Sequence, residues 1–213
     1  MIHAGRLGSG VAVLAASHLC GSVPFAQLVA RLTNSTDLRQ RGTGTVSASG
    51  LRDVGVGPVV VAGVLDVAKG TIGPLVARRR AGTPLAVAAG AATITGHNWS
   101  PFLRGAGGRG LSPAIGALLV TAPEGSVVLL AGVAAGRLVG ETAIGALAGY
   151  AALTPVLIRT RGRTGALTAA AMLTPILVKR LMGNRPAASA STYLWRLLLD
   201  RDQPGRSSCP SEW

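Results

Sequence analysis

Acidic residues are scarce in this 213-residue chain: 8 Asp and Glu stand against 21 Lys and Arg, giving a formal net charge of +13. Aromatics are scarcer, at 3% of the chain. With so few rings to stack on bases, the basic surplus does not read as a nucleic-acid surface. Cysteine is limited to Cys20, in an apolar run, and Cys209, near the end. That pair excludes a disulfide framework, a Cys-x-x-Cys motif and a metal knuckle. None of the histidines His3, His18 and His97 is followed five positions on by aspartate. A Gly-x-Ser-x-Gly elbow, a Walker loop and a His-Glu-x-x-His pair are also missing, so the commonest hydrolase, nucleotidase and zinc chemistries have no foothold.

What is abundant is apolar. Hydrophobic residues make up 48% and charged residues 14%, against roughly 25% charged in soluble domains. Mean hydropathy is +0.44. The fold class that fits is all-α, a polytopic integral membrane protein. A first span is expected over residues 8–32, kinked at Pro24 and retained as an anchor, with no convincing cleavage site after Gly21. A polar first loop covers 33–53. A second span over 54–77 carries Asp66 and Lys69, three residues apart and so on one helical face. Charges at that depth are expensive, and they read either as a structural pair or as Lys69 turned toward an anionic substrate. Arg78, Arg79 and Arg80 close that span. Further apolar runs cover 83–95, 111–122, 125–139, 142–158 and 167–182. Several fall short of the roughly 20 residues a perpendicular crossing needs, so hydropathy alone gives five to seven spans. Residues 184–213 form a basic tail holding a short interfacial helix around Tyr193, with the last dozen residues disordered.

Two Gly- and Arg-rich loops interrupt this scaffold. The first runs from Gly42 to Arg52, with hydroxyls at Thr43, Thr45, Ser47 and Ser49. The second, 96–113, holds His97, Asn98, Arg104, Arg109 and glycines at 105, 107, 108 and 110. Glycines that free backbone NH groups, flanked by arginine, suit an anion such as phosphate.

Taken in order, GSVPFAQLVARL, RGTGTVSASGLR, LDVAKGTIGP and GHNWSPFLRGAGGRG resemble the bacterial acyl-phosphate-dependent glycerol-3-phosphate acyltransferases, the PlsY family. GETAIGALAGYAALTP and LVKRLMG extend the likeness to about Gly183. The resemblance implies seven transmembrane helices over 1–183, the amino terminus outside, and motif loops and tail at the cytoplasmic face of the bacterial inner membrane. It implies acyl transfer from acyl phosphate to the 1-hydroxyl of glycerol 3-phosphate, giving lysophosphatidate for phospholipid synthesis. No cofactor or metal is expected. The partners would be those two substrates and membrane lipids, not nucleic acid, with the oligomeric state left open. Thr43, Arg52 and His97 are the expected catalytic groups. Gly42, Gly44, Ser47, Lys69, Asn98, Gly107, Gly108, Arg109 and Gly110 are the expected phosphate ligands. Several positions depart from the family pattern. Thr45 and Gly50 stand for asparagines, Ser47 for a glycine, Ala106 and Arg109 for two lysines, and Pro113 for a threonine. Two alternatives therefore stay open: a diverged member that binds phosphate or lipid without turnover, and a small transporter or accessory membrane subunit.

Overall fold

The computed structural model describes residues 2–34 and 36–202. Every regular element among them is helical: α1 (Ile2–Ser22), α2 (Phe25–Asn34), α3 (Val56–Asn98), α4 (Leu111–Thr121), α5 (Pro123–Leu138), α6 (Thr142–Met182) and α7 (Ala190–Leu199). The kinked first span expected over 8–32 is two helices instead. Pro24 drives Val23 out of the helical region, which ends α1 at Ser22. The Pro24 carbonyl then accepts the Leu28 NH (3.0 Å) as α2 begins. α2 is amphipathic, burying Ala26, Gln27 and Ala30 and exposing Leu28 and Leu32.

At 43 and 41 residues, α3 and α6 would each be roughly 60 Å long if straight, about twice the hydrocarbon thickness. Neither is straight. α3 breaks at Ala81 and Gly82 (φ 75°), and α6 breaks at Gly162 (φ 57°, ψ −135°), a conformation open to glycine. Each chain doubles back there. A Cβ on Gly73 would lie 3.0 Å from Thr93 Oγ1 on the returning arm, and Gly165 abuts the Leu157 carbonyl. The arms 56–80 and 83–98, and 142–161 and 163–182, make a bundle of seven rods with α1, α4 and α5. The bundle buries Ile94, Leu118, Leu129, Leu153, Leu157, Met172 and Ile176 in one core. Val11, Val60, Val64, Ile72, Val127, Leu130 and Leu167 point outward, the apolar exterior an integral membrane protein presents to lipid.

The seam between α5 and α6 is lined by glycine. Gly132 and Gly136 face Gly145 and Gly149 so closely that a Cβ on Gly145 would collide with the Gly132 carbonyl. At one end of the bundle, arginines close the turn between α4 and α5. Arg78 Nη1 donates to the Val120 carbonyl (2.7 Å), and Arg161 Nη1 donates to that of Thr121 (2.8 Å) while pairing with Glu124. These carbonyls are among those a helix end leaves without partners. Arg78 and Arg161 are thus assigned to capping α4, and the loops singled out by sequence gather at the other end.

Candidate active site

The expected second loop divides once folded. His97 and Asn98 are the last turn of α3, residues 99–110 form a loop around one 3-10 turn at Pro101–Leu103, and Leu111 opens α4. The first loop is anchored from below. Gln27 of α2 donates to the Thr36 carbonyl (2.9 Å) and accepts from the Leu38 NH (3.0 Å). Leu38, Val46, Leu51 and Leu103 bury against Ala26, Ala30 and Ala62. The two glycine loops then meet through their backbones, with the Val46 NH donating to the Gly107 carbonyl (3.0 Å). Asn184 fastens them. Its Nδ2 donates to the carbonyls of Gly44 (3.0 Å) and Gly107 (2.8 Å), and its Oδ1 accepts from the Gly107 NH (3.2 Å). Sequence reasoning misses Asn184, because a lone asparagine just past a helix end has no distinguishing pattern.

Arg109 sits at this junction and is only 8% exposed. Its Nε donates to Thr45 Oγ1 (3.1 Å) and its Nη1 to the Arg180 carbonyl (3.1 Å). Nη2 lies 2.8 Å from Asp200 Oδ1, just past α7, an ion pair without the alignment of a hydrogen bond. Burial lowers the Arg109 pKa, and Asp200 opposes that shift. Thr43 stands one step away, its hydroxyl 2.8 Å from that of Thr45. Gly42 and Gly44 both take positive φ, 48° and 72°, as the tight turn beside Asn184 requires.

A second cluster lies on the other face of Gly108. Asp66 and Lys69, each with a side chain 2% exposed, pair at 2.9 Å. Lys69 Nζ also donates to the Val23 carbonyl (2.7 Å) and lies 5.6 Å from the centroid of the Phe25 ring. His97 Nδ1 is 3.8 Å from Asp66, beyond hydrogen-bond range. Its Nε2 presses on Gly108, where any Cβ would collide with it. The Gly108 NH donates to the His97 carbonyl (3.1 Å). His97, Lys69 and Asp66 are therefore brought together, with the Arg109 junction next along the chain.

Other expected site residues lie further out. Arg52 is exposed and donates to Thr142 at the start of α6 (3.1 Å). Ser47 bonds Ser49 (2.8 Å). Asn98 is fully buried and donates to the Pro175 carbonyl (2.7 Å), with Gly110 packed over its side-chain oxygen. In this structure Lys69 holds the α1–α2 junction and Asn98 clamps α3 to α6. The tail is likewise part of the bundle. α7 docks through Arg180, which donates to the Arg196 carbonyl (3.1 Å), and through buried Arg196, which donates to that of Met182 (2.6 Å). The expected disorder after residue 202 lies outside the described residues.

A groove of about 630 Å³ opens beside the Lys69–His97 cluster. Val23, Pro24, Leu28, Phe102 and Leu103 make its apolar wall, and Arg31, Arg39 and Arg104 stand along it. Arg39 is hydrogen-bonded to Asp37, which holds that carboxyl below its usual pKa range. Val23, Pro24 and Leu103 also line the small cavity containing Asp66, Lys69, His97, Gly107 and Gly108, so groove and cluster share a wall.

Comparison with known proteins agrees with this architecture. The family model for glycerol-3-phosphate acyltransferase matches residues 11–186. Glycerol-3-phosphate acyltransferase 2 of Moorella thermoacetica is 36% identical over 111 residues, 52% of this chain and 57% of that protein. The enzyme of that name from Roseobacter denitrificans is 32% identical over 141 residues, 65% of this chain and 70% of the relative. The match thus spans little more than half the length of the Moorella protein. The crystal structure of PlsY (YgiH), an integral membrane glycerol 3-phosphate acyltransferase, in its glycerol 3-phosphate form superposes with a TM-score of 0.74 at 22% identity. That match covers 81% of this chain and 88% of PlsY. Its lysophosphatidic acid form gives 0.72 at 21%. An all-helical bundle, two glycine loops clamped at one end, and a family match across most of its length agree: this chain belongs to the glycerol-3-phosphate acyltransferase family.

Proposed function

We propose that the protein is a membrane acyltransferase that moves an acyl group from acyl phosphate to the 1-hydroxyl of glycerol 3-phosphate. The observation that carries this reading is the junction of the two glycine loops. It sets buried Arg109 one residue from the Gly108–His97 contact, whose cavity shares a wall with an apolar groove lined with cations. A PlsY structure exists in a glycerol 3-phosphate form and another in a lysophosphatidic acid form, which supports a phosphate-ester acceptor and product. Among the described residues, Arg31 and Arg104 form no ion pair, Arg31 only lying near Asp37, and they suit an anionic head, while the groove's apolar wall suits an acyl tail.

In the reaction, the acceptor hydroxyl oxygen bonds to the acyl carbon and the acyl–O–phosphate bond breaks. The hydroxyl proton ends on the departing phosphate. Arg109 and the loop NH groups neutralise phosphate charge and fix both substrates, which is where most of the rate enhancement would arise. His97, with Nε2 held against Gly108, would position the reacting hydroxyl. Thr43 would bond a phosphate oxygen through the Thr43–Thr45 hydroxyl pair, whereas Arg52 lies against Thr142, away from Arg109.

Protein reconstituted in liposomes with acyl phosphate and labelled glycerol 3-phosphate is expected to release lysophosphatidate. Arg109→Ala should lower kcat/KM by about ten- to a hundred-fold, the loss of one charge-assisted contact. Absence of product beside an active relative, under conditions where phosphate still binds, would select the diverged, non-catalytic reading. Ala106 in the second loop and the contacts Arg109 already makes to Thr45, Arg180 and Asp200 are what favour that alternative.

A further inference from the structure

Among the described residues, Asp200 is the one carboxylate in contact with Arg109. The other groups on that guanidinium are a hydroxyl and backbone carbonyls of the bundle itself. Asp200 differs from them in three ways. It lies beyond residues 11–186, the extent of the family match. Its side chain is 31% exposed, whereas Arg180 is buried, although the Oδ1 that faces Arg109 is itself covered. It also caps α7 in the left-handed conformation (φ 56°, ψ 35°), which non-glycine residues adopt rarely. Its contact with Arg109 is close but poorly aligned. The helix that delivers it is firmly held, by Arg196 donating to the carbonyls of Met182 (2.6 Å) and Arg185 (2.9 Å) and by Arg201–Glu141 (2.7 Å), as well as by Arg180.

We propose that Asp200 is a specificity-determining residue: a tethered carboxylate in the anion seat of Arg109, which an incoming ligand must displace. The inference rests on the reading of Arg109 as a phosphate-binding residue. A tethered group acts at an effective concentration in the millimolar range or above. A free carboxylate ligand offers Arg109 nothing Asp200 does not already supply, and so does not displace it. A phosphate ester carries up to two charges and three acceptor oxygens, enough to bond the freed Nη2 and the loop NH groups together. The seat is thereby closed to carboxylates and weakened, though still open, to phosphates.

Full-length protein in nanodiscs, titrated calorimetrically with glycerol 3-phosphate and separately with glycerate, tests the proposal. Asp200→Asn should bind glycerol 3-phosphate about ten-fold more tightly than wild type, the scale of one charge-assisted contact. It should also acquire measurable affinity for glycerate. Asp200→Asn combined with Arg109→Gln should show neither gain. Should the Asn variant lose its thermal transition, Asp200→Ser is titrated in its place. Unchanged or weaker phosphate binding in the Asp200 variants, with wild type binding normally, would overturn the proposal and leave Asp200 as a support for Arg109. Absence of glycerol 3-phosphate binding in wild type and Asp200→Asn alike would remove the phosphate-site reading itself, and this inference with it.

Discussion

Asp66 and Lys69 show how one pair of side chains constrains this fold. Two opposite charges buried to 2% exposure at 2.9 Å offset each other's desolvation, and either one alone would not be tolerated. Removing a single partner from a buried pair costs about 3–5 kcal/mol, whereas replacing both by apolar groups of similar volume is often neutral. Asp66→Leu and Lys69→Met are therefore each expected to destabilise by about that much, and the double variant by far less. Unfolding of the four proteins in detergent closes the cycle, and additive losses would show that the charges do not support each other. The spacing of three that makes the pair possible is legible in the sequence. The third contact, from Lys69 to the Val23 carbonyl (2.7 Å), is not, because a backbone acceptor has no residue signature. Asn184 and Asp200 stay hidden for a related reason. Each acts on loops that fold more than 70 residues away in the chain, and neither belongs to a spacing that local chemistry can interpret.

At the level of elements, apolar runs and their Gly or Pro interruptions locate most helices well. The runs 111–122 and 125–139 appear as α4 and α5 with ends within two residues. The misreading falls at Pro24, where a kink inside one helix and a break between two look alike in sequence. What decides between them is tertiary: Gln27 and the buried Ala26 and Ala30 pull the following segment out of line as a separate amphipathic helix. The Gly and Ala content is legible as close packing, but not which glycines touch. The structure names Gly145, against Gly132 and Gly136. Gly145→Leu is expected to force α5 and α6 apart and destabilise by about 1–3 kcal/mol or more, the scale of overpacking. Gly10→Leu, where a Cβ meets nothing within 4 Å, should change little. Equal thermal midpoints for the two variants would mean that the seam accommodates bulk and that close α5–α6 contact is not required.

On the scale of the whole molecule, the distribution of arginine bears on orientation. The site end carries Arg31, Arg39, Arg41, Arg52, Arg104, Arg137, Arg185 and Arg201, and the opposite end carries Arg78 to Arg80 with Arg159, Arg161 and Arg163. The second cluster runs against cytoplasmic loops if every arginine is weighted equally. It weighs less once Arg78 and Arg161 are seen closing the end of α4, with Arg161 paired to Glu124, because cations fixed to carbonyls and a carboxylate are less available to act as topology signals. The positive-inside bias then favours the site end facing the cytoplasm, where a soluble phosphate ester would reach it. Single cysteines at two exposed positions, Arg104→Cys and Arg163→Cys, each in a background with Cys20 and Cys209 changed to Ser, make this measurable. In intact cells a membrane-impermeant thiol reagent should label position 163 directly and position 104 only after permeabilisation. Because the bundle places these residues at opposite ends, the reverse pattern would put the glycine loops and Arg109 outside the cell and reverse the proposed orientation, while labelling of both in intact cells would contradict the arrangement of the rods itself.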